Sequence, residues 1–124
     1  MQAFRAGPAE PDWFAAPEDV PAISVRTLKE RMDKNEPLVL IDVREPYEYE
    51  IARIEGSRLI PLGELETHLN ELPRVGTLVL QCHSGARSEH AVRILQEAGF
   101  ENAINLEGGI DAWSVQVDPA VQRY

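Results

Sequence analysis

The sequence contains a single cysteine, Cys82, among its 124 residues. One cysteine excludes an internal disulfide and any Cys-x-x-Cys metal site, and a free thiol suits a reducing compartment. The three histidines, at positions 68, 83 and 90, show no metal-ligand spacing with this cysteine. We therefore predict that the protein holds no metal ion.

Long hydrophobic runs and a leader-like N-terminus are also missing. No segment approaches the roughly 20 apolar residues that a membrane-spanning helix needs, although 44% of the residues are hydrophobic. The first residues do not show the basic and then apolar pattern of a secretory signal. These features predict a cytoplasmic protein that does not bind membranes.

Basic residues are scarce in this chain. It has 12 lysines and arginines against 21 aspartates and glutamates, which gives a formal net charge of −9. Because nucleic acid phosphates attract basic surfaces, this balance argues against a nucleic acid partner. Residues 81–93 depart from the average, since they carry Arg87, Arg93 and two histidines but only Glu89 as an acid. We expect most carboxylates elsewhere to be ordinary solubility charges.

Prolines are concentrated at the start of the chain. Residues 1–21 hold four of the nine prolines, and proline interrupts helices. This segment is predicted to be a tail or linker. Residues 22–124 are predicted to form one domain, close to the usual domain size of about 100 to 150 residues.

Strand-like and helix-like segments alternate within this domain. Short apolar runs predict strands, and apolar residues at helical spacing predict helices. The predicted strands are 38–42, 58–61, 77–81 and 103–106, and the predicted helices are 24–33 with Ser24 as its cap, 45–50, 62–72, and one from the loop after Cys82 to a stop at Gly99. The alternation predicts the α/β class: a single three-layer domain whose parallel β-sheet of about five strands carries helices on both faces.

Residues 82–88, Cys-His-Ser-Gly-Ala-Arg-Ser, lie at a predicted strand-to-helix junction. Backbone N–H groups in such a loop can turn inward as an anion-binding nest, and the helix adds its positive dipole end. Gly85 permits a positive φ, Ser88 can offer a hydroxyl at the helix start, and Arg87 supplies a nearby cation. Because these surroundings favour thiolate over thiol, Cys82 is a candidate nucleophile.

Simpler interpretations exist for the residues around this loop. Free cysteines are most often small buried hydrophobes, and Cys82 would then only close a central strand. Asp42 and Arg44, at the carboxyl end of the predicted strand 38–42, either support the loop from the same sheet edge or form a surface salt bridge. A structural cysteine needs neither Gly85 nor a following arginine, which favours the catalytic interpretation.

Three separated segments resemble one known family. The Cys-x-x-Gly-x-Arg-Ser pattern at 82–88, the Asp-Val-Arg-Glu segment at 42–45 and the Gly-Gly-x-x-x-Trp element at 108–113 resemble the motifs of rhodanese-like sulfurtransferases and occur in the same order. The resemblance spans about residues 22–115. Residues 52–57 depart from the family's usual Gly-His-Ile-Pro-Gly-Ala. This variant, with residues 60–65 and 117–124, resembles the C-terminal rhodanese domain of fused molybdopterin-synthase sulfurylases.

The resemblance implies sulfur-transfer chemistry. Cys82 would carry a sulfane sulfur as a persulfide without any other cofactor, and Arg87 with the loop N–H groups would stabilise the sulfur anion. The resemblance also implies substrate-binding positions in the loop and support behind it. The loop positions are His83, Ser84, Gly85, Ala86 and Ser88, and the supporting pair is Asp42 and Arg44.

The resemblance further implies partners. The sulfur donor would be a cysteine desulfurase, thiosulfate or a small persulfide, and the acceptor a ubiquitin-like sulfur carrier. The chain has no GxGxxG or P-loop motif of its own. Adenylation of such an acceptor would therefore need a separate adenylyltransferase.

Two other functions share parts of this pattern. Cysteine phosphatases and arsenate reductases also place a thiolate and an arginine on an anion-binding loop, typically with five intervening residues, whereas four separate Cys82 from Arg87 here. A non-catalytic rhodanese fold, used for regulation or binding, commonly lacks the cysteine. We expect His83 and His90 to be solvent-facing side chains and assign neither a general-base role, since a thiolate needs no adjacent base.

Overall fold

The structure, a computed structural model, describes residues 20–124. Most of the predicted tail, residues 1–19, lies outside the described residues. The strands are β1 (Ala22–Ile23), β2 (Leu38–Asp42), β3 (Arg58–Leu59), β4 (Thr77–Gln81) and β5 (Ala103–Leu106). The α-helices are α1 (Val25–Asp33), α2 (Pro46–Ile51), α3 (Ala86–Glu97) and α4 (Gly109–Gln116), and a 3₁₀ helix covers Leu62–Glu71.

The five strands form one parallel sheet in the order β1-β5-β4-β2-β3. The central strand, β4, pairs with β2 over its whole length, and its last residue, Gln81, lies opposite Asp42. The carboxyl ends of the two strands therefore meet at one edge of the sheet, where Cys82 follows β4. This confirms the predicted α/β class and its parallel sheet.

Apolar side chains pack against both faces of the sheet. The 3₁₀ helix and α3 cover one face, and α1 and α4 cover the other. Each fully buried aliphatic side chain contributes about 1.5 to 3 kcal/mol relative to its exposed state. The first face includes Ile41, Leu65, Leu78, Leu80, Val92 and Leu95, and the second includes Val25, Leu28, Leu40, Val79, Leu106 and Trp113. The predicted three-layer arrangement is confirmed.

The signals that begin and end two helices act as the sequence predicts. Ser24 caps α1, since its Oγ accepts a hydrogen bond from the backbone N–H of Thr27 at 3.1 Å. Gly99, just beyond α3, has a φ of +93°, a left-handed conformation that glycine adopts without strain. The prediction that Gly99 ends this helix is confirmed.

Three elements differ in detail from the sequence prediction. Residues 62–71 form a 3₁₀ helix, in which residues three apart lie on one face; Leu62 and Leu65, and likewise Leu69 and Leu72, have this spacing and pack on the core. β3 has only two residues and is an edge strand that contacts only β2. β1 is also a two-residue edge strand, too short to leave an alternating pattern in the sequence.

The packed domain includes residues that the sequence analysis placed in the tail. Val20 is buried in the core on the α3 side of the sheet. The carbonyl of Pro21 accepts a hydrogen bond from the backbone N–H of Asn105 at 2.8 Å. The chain therefore joins the sheet before residue 22.

None of the helices among residues 20–124 combines the length and apolar character required to cross a membrane.

Candidate active site

Cys82 lies directly after β4, at the base of the loop that leads into α3. The residue is only 1% exposed. Its Sγ atom accepts hydrogen bonds from the backbone N–H groups of Gly85, at 3.1 Å, and Ser88, at 3.4 Å. Backbone donors arranged in this way favour a negative charge on the atom that they surround. The predicted nest therefore forms around the sulfur itself.

The burial of Cys82 also bears on the simpler interpretation. The side chain belongs to the apolar cluster on the α3 side of the sheet, as a structural cysteine would. An apolar core side chain, however, does not need two N–H donors directed at its sulfur. The polar contacts of Sγ therefore favour the catalytic interpretation over the structural one.

Two glycines give the loop its shape. Gly85 precedes α3 with a φ of +116°, which L side chains rarely adopt. Gly109 begins α4, and a Cβ atom there would lie 2.3 Å from the carbonyl oxygen of Cys82. The close approach lets the N-terminus of α4 donate to the loop: the N–H of Ile110 to the Cys82 carbonyl, and that of Asp111 to the His83 carbonyl. Gly109, from the Gly-Gly-x-x-x-Trp element, is thus part of the site.

Ser88 connects the sulfur to the neighbouring strand. Its Oγ lies 3.3 Å from the Cys82 Sγ and 2.5 Å from the Oδ1 of Asn105, a residue of β5. A hydroxyl has one proton, so donation to Asn105 leaves its oxygen free to accept from a thiol. Donation to the sulfur instead would stabilise a thiolate. Ser88 is fully buried and can serve either protonation state of the cysteine.

The guanidinium of Arg87 binds a carboxylate rather than the sulfur. Its Nη1 and Nη2 donate to the Oε1 and Oε2 of Glu48, at 2.7 and 3.0 Å. This bidentate pairing is the strong form of an arginine–carboxylate contact. It raises the pKa of Arg87, with a smaller electrostatic contribution from Cys82. Glu48 therefore fixes the orientation of the Arg87 guanidinium.

Glu48 is a buried carboxylate in α2 with a complete set of donors. Besides Arg87, its Oε1 accepts from the backbone N–H of Glu45 at 3.0 Å, and its Oε2 from the hydroxyl of Tyr124 at 2.8 Å. The hydrogen bonds from Arg87, with those from Glu45 and Tyr124, lower the pKa of Glu48 from 4.5 to about 2. The carboxylate is consequently ionised throughout the physiological range.

Asp42 and Arg44 form a buried ion pair. Both side chains are fully buried, and the Arg44 Nη2 lies 2.6 Å from the Asp42 Oδ2. Arg44 also donates from Nη2 to the Ala52 carbonyl and from Nη1 to the hydroxyl of Tyr124. The surface salt bridge considered from the sequence is therefore wrong. The pair reaches Glu48 in two ways: Arg44 donates to the Glu48 backbone carbonyl, and the Tyr124 hydroxyl bridges Arg44 to the Glu48 carboxylate.

His83 packs against Tyr124 instead of facing solvent. The two rings stack with centroids 4.5 Å apart and an angle of 26° between their planes, and the histidine is half-buried. The expectation of a solvent-facing His83 is wrong, because the chain end folds over it. His90, by contrast, is exposed as expected.

A cleft of about 480 Å³ opens beside the loop. Its walls include Ser84, Gly85 and Ala86 from the loop, Glu89 from α3 and Asn105 from β5. Ser84 and Ala86 are exposed, so these predicted substrate-binding positions border open space. Within residues 20–124 no group of three or more His, Cys, Asp or Glu side chains is placed to hold a metal ion.

Comparison with known proteins gives the family of this fold and site. The family described as Rhodanese-like domain matches residues 24–116. This range includes all four α-helices and every strand except β1. The chain belongs to the rhodanese-like family. A solved structure of a rhodanese-like domain protein from Staphylococcus aureus is 28% identical with a TM-score of 0.74, and the match covers 85% of this chain and 99% of that one.

Two sequence relatives of this rhodanese-like domain carry names from sulfur metabolism. One is the probable adenylyltransferase/sulfurtransferase MoeZ of Mycobacterium tuberculosis, 40% identical over 82% of this chain and 26% of that protein. The other is the putative sulfur carrier protein YrkF of Bacillus subtilis, 43% identical over 77% of this chain and 51% of that protein. The chain thus spans about a quarter of the former and half of the latter.

Three residues of the site were missed by sequence reasoning: Glu48, Asn105 and Tyr124. Glu48 lies in the short predicted helix 45–50, where it is one of several acidic residues. Asn105 is a lone polar residue in a predicted strand, which was a usable signal because buried polar groups need a partner. Tyr124 lies in the segment 117–124, which carries part of the family resemblance, but nothing in the sequence shows that this segment returns to the loop.

Proposed function

We propose that this rhodanese-like domain is a sulfurtransferase that carries sulfane sulfur as a persulfide on Cys82. The observation that carries the proposal is the pair of backbone N–H groups, from Gly85 and Ser88, directed at Sγ. A thiolate and a persulfide both place negative charge on sulfur, and both benefit from these preorganised donors. The persulfide is covalent, so the proposed reaction uses no resident cofactor.

The proposed loading step is an attack of the Cys82 thiolate on the outer sulfane sulfur of the donor. A new S–S bond forms while the donor's S–S bond breaks, and the electron pair leaves with the remainder of the donor. Thiosulfate releases sulfite, and a persulfide donor releases a thiolate. A nucleophilic acceptor then attacks the terminal sulfur, and Cys82 leaves as thiolate. Neither step needs an external oxidant.

The paired Arg87 and Glu48 supply the electrostatics at the loop in this proposal. Arg87 lies in the first turn of α3, directly after the loop, and we assign its positive charge to offsetting the repulsion between a thiolate and an anionic donor. Glu48 neutralises part of that charge and holds the guanidinium in one orientation. We therefore assign Arg87 to anion stabilisation and Glu48 to holding it.

The proposed acceptor is a ubiquitin-like sulfur carrier activated by an adenylyltransferase, and the proposed donor is a cysteine desulfurase, thiosulfate or a small persulfide. The names of the two relatives, one an adenylyltransferase/sulfurtransferase and the other a sulfur carrier protein, support this pathway class. The loop between β4 and α3 carries the cysteine, and residues 20–124 contain no nucleotide-binding motif. We therefore assign the adenylation to another protein or domain.

A sulfur-transfer assay tests the proposal. Thiosulfate and glutathione persulfide serve as donors and cyanide as a small thiophilic acceptor. We expect transfer by the wild type from at least one donor and a loss of at least about a thousandfold in Cys82→Ser, since removal of a nucleophile abolishes its covalent path. His90→Ala, at an exposed position, is the matched control.

Three results would contradict the proposal. Equal transfer by the wild type and Cys82→Ser would show that the cysteine is not the carrier. No transfer from either donor would favour a non-catalytic rhodanese fold. Hydrolysis of p-nitrophenyl phosphate without sulfur transfer would favour a phosphatase.

A further inference from the structure

The last residue of the sequence, Tyr124, lies against the candidate active site although it is 80 positions from Arg44 in the sequence. Several contacts hold the segment 117–124 on the domain. The Ser114 hydroxyl donates to the Val121 carbonyl, and Arg123 pairs with Asp111 at 2.8 Å. Tyr124 then stacks on His83. The segment is therefore anchored before it reaches the site.

The Tyr124 hydroxyl joins the two ion pairs behind the loop. It accepts a hydrogen bond from the Arg44 Nη1 at 2.7 Å and donates one to the Glu48 Oε2 at 2.8 Å. Tyr124 as a whole is 40% exposed, but its hydroxyl end is enclosed by these groups. Burial raises the pKa of Tyr124 to about 12. The hydroxyl therefore keeps its proton and can donate it to Glu48.

The hydrogen bond from Tyr124 affects the position of Arg87, because both side chains bind the same carboxylate, that of Glu48. The Glu48 Oε2 accepts from both Tyr124 and the Arg87 Nη2, while Oε1 accepts from the Arg87 Nη1. Glu48 has rotatable bonds of its own, and a bidentate pair requires the planes of the carboxylate and the guanidinium to match. The Tyr124 hydroxyl and the Glu45 N–H fix that plane from either side.

We propose that Tyr124 is a positioning residue for sulfur transfer, whose hydroxyl links Arg44 to Glu48 and so holds the guanidinium of Arg87 in one orientation at the start of α3, directly after the Cys82 loop. The effect of Tyr124 passes through Glu48, to which its hydroxyl donates. Near the cysteine, the recorded contact of Tyr124 is the stacking of its ring on His83. The proposal rests on the proposed sulfurtransferase function for its effect on rate. The positioning of Arg87 itself can be measured without that function.

A double-mutant cycle tests the link to Arg87. Tyr124→Phe keeps the ring that stacks on His83 and removes only the hydroxyl. We expect a loss of about threefold in kcat/KM with thiosulfate, smaller than the loss on removing Arg87 itself, because the hydroxyl acts on the rate only through that side chain. In an Arg87→Ala background the same change should cause no further loss, because interacting residues are not additive. Tyr47→Phe, at a 65% exposed tyrosine of α2, is the matched control.

A second variant approaches the link from Glu48. Glu48→Gln preserves an acceptor for the Tyr124 hydroxyl but lacks the charge that binds Arg87, and glutamine suits this position at the start of a helix. We expect the loss from Tyr124→Phe to disappear in this background as well. An equal loss from Tyr124→Phe in all three backgrounds, or no loss in the wild type, would overturn the proposal.

Arginine NMR separates this proposal from the proposed function. In a ¹⁵N-labelled chain, Arg87→Ala identifies the Arg87 Nη–Hη signal, which comes from the groups that donate to Glu48. We expect that signal to exchange faster with solvent in Tyr124→Phe than in the wild type, and to be unchanged in Tyr47→Phe. An unchanged signal in Tyr124→Phe would overturn the positioning role whether or not the chain transfers sulfur. Absence of sulfur transfer in the wild type, with the signal altered as expected, would contradict only the proposed function.

Discussion

The candidate site has two halves, one around the Cys82 sulfur and one around the Glu48 carboxylate, and they differ in the kind of group that donates hydrogen bonds. Around the Cys82 sulfur the groups are backbone N–H donors from a short continuous loop. Around the Glu48 carboxylate they are the side chains of Arg87 in α3 and of Tyr124 at the chain end, with one backbone N–H from Glu45. Backbone donors cannot be removed by changing a side chain, whereas a side-chain network can. The first half should therefore respond to changes in loop length and the second to single substitutions.

The backbone half should be broken most severely by an insertion. One alanine added between Gly85 and Ala86 would separate the two N–H donors and displace Arg87. We expect a loss of about a hundredfold or more in sulfur transfer, the order caused by misplacement of about 1 Å. Loop-closure entropy grows slowly with length, so the unfolding temperature should fall little by comparison.

Kinetics and thermal unfolding of the insertion variant measure both effects. An alanine inserted in the exposed turn at 55–56, which contains a glycine with a φ of +90°, is a control for added length. Wild-type transfer by the loop insertion would show that the spacing between the cysteine and the arginine does not determine the activity.

The side-chain half should respond to the removal of Arg87. Arg87→Ala should reduce transfer about tenfold by loss of a charged group at the anion site. It also leaves the buried Glu48 carboxylate without its cation, which destabilises the fold. Arg87→Lys should restore only part of the activity, because an ammonium is a point charge without the planar guanidinium fork.

A double variant separates the two effects of Arg87. Glu48→Gln with Arg87→Ala removes both charges, so we expect most of the stability of Arg87→Ala to return while the transfer rate stays low. Urea unfolding and kinetics on the same samples check this. Recovery of both the stability and the transfer rate would show that Arg87 stabilises the fold and takes no part in sulfur transfer.

The pH dependence of stability should show a smaller effect, which belongs to the side-chain half alone. The pKa of Glu48 is about 2 in the folded chain against an ordinary 4.5, and the side chain is 5% exposed. Because the folded pKa is the lower one, the carboxylate stabilises the fold fully above about pH 4.5, by about 3 kcal/mol, and this contribution is lost as the pH falls toward 2. Glu48→Gln should lack this contribution.

Denaturant titrations between pH 7 and pH 2.5 measure that difference. The stability gap between the wild type and Glu48→Gln should narrow as the pH falls. A gap that stays constant over this range would show that Glu48 does not have a depressed pKa. His68→Gln, whose imidazole pairs with Glu71 on the surface, is a control for an exposed ion pair.

The same division explains what the sequence could predict. The nest around Cys82 depends on a cysteine, a glycine and a helix start within seven residues, so its outline is visible in the chain. The parallel sheet was visible as well, because buried strands alternate with amphipathic helices. In both cases the determining contacts are local or follow a regular period.

The side-chain half depends on contacts between distant residues. Glu48 and Arg87 are 39 positions apart, and their pairing requires both the crossover from β2 to β4 and the position of α2. The requirement for Gly109 also comes from a tertiary contact, since its missing Cβ leaves room for the Cys82 carbonyl. The sequence predicted a sharp turn there, but not which atom occupies the space.

The central claim is that Cys82 carries the transferred sulfur. Its most direct test is the intact mass of the chain after incubation with thiosulfate or glutathione persulfide, followed by mapping of the modified peptide. We predict a gain of one sulfur atom on the peptide containing Cys82, its reversal by a reductant, and no gain in Cys82→Ser. An unmodified wild-type chain after both donors, or the same gain in Cys82→Ser, would contradict the account.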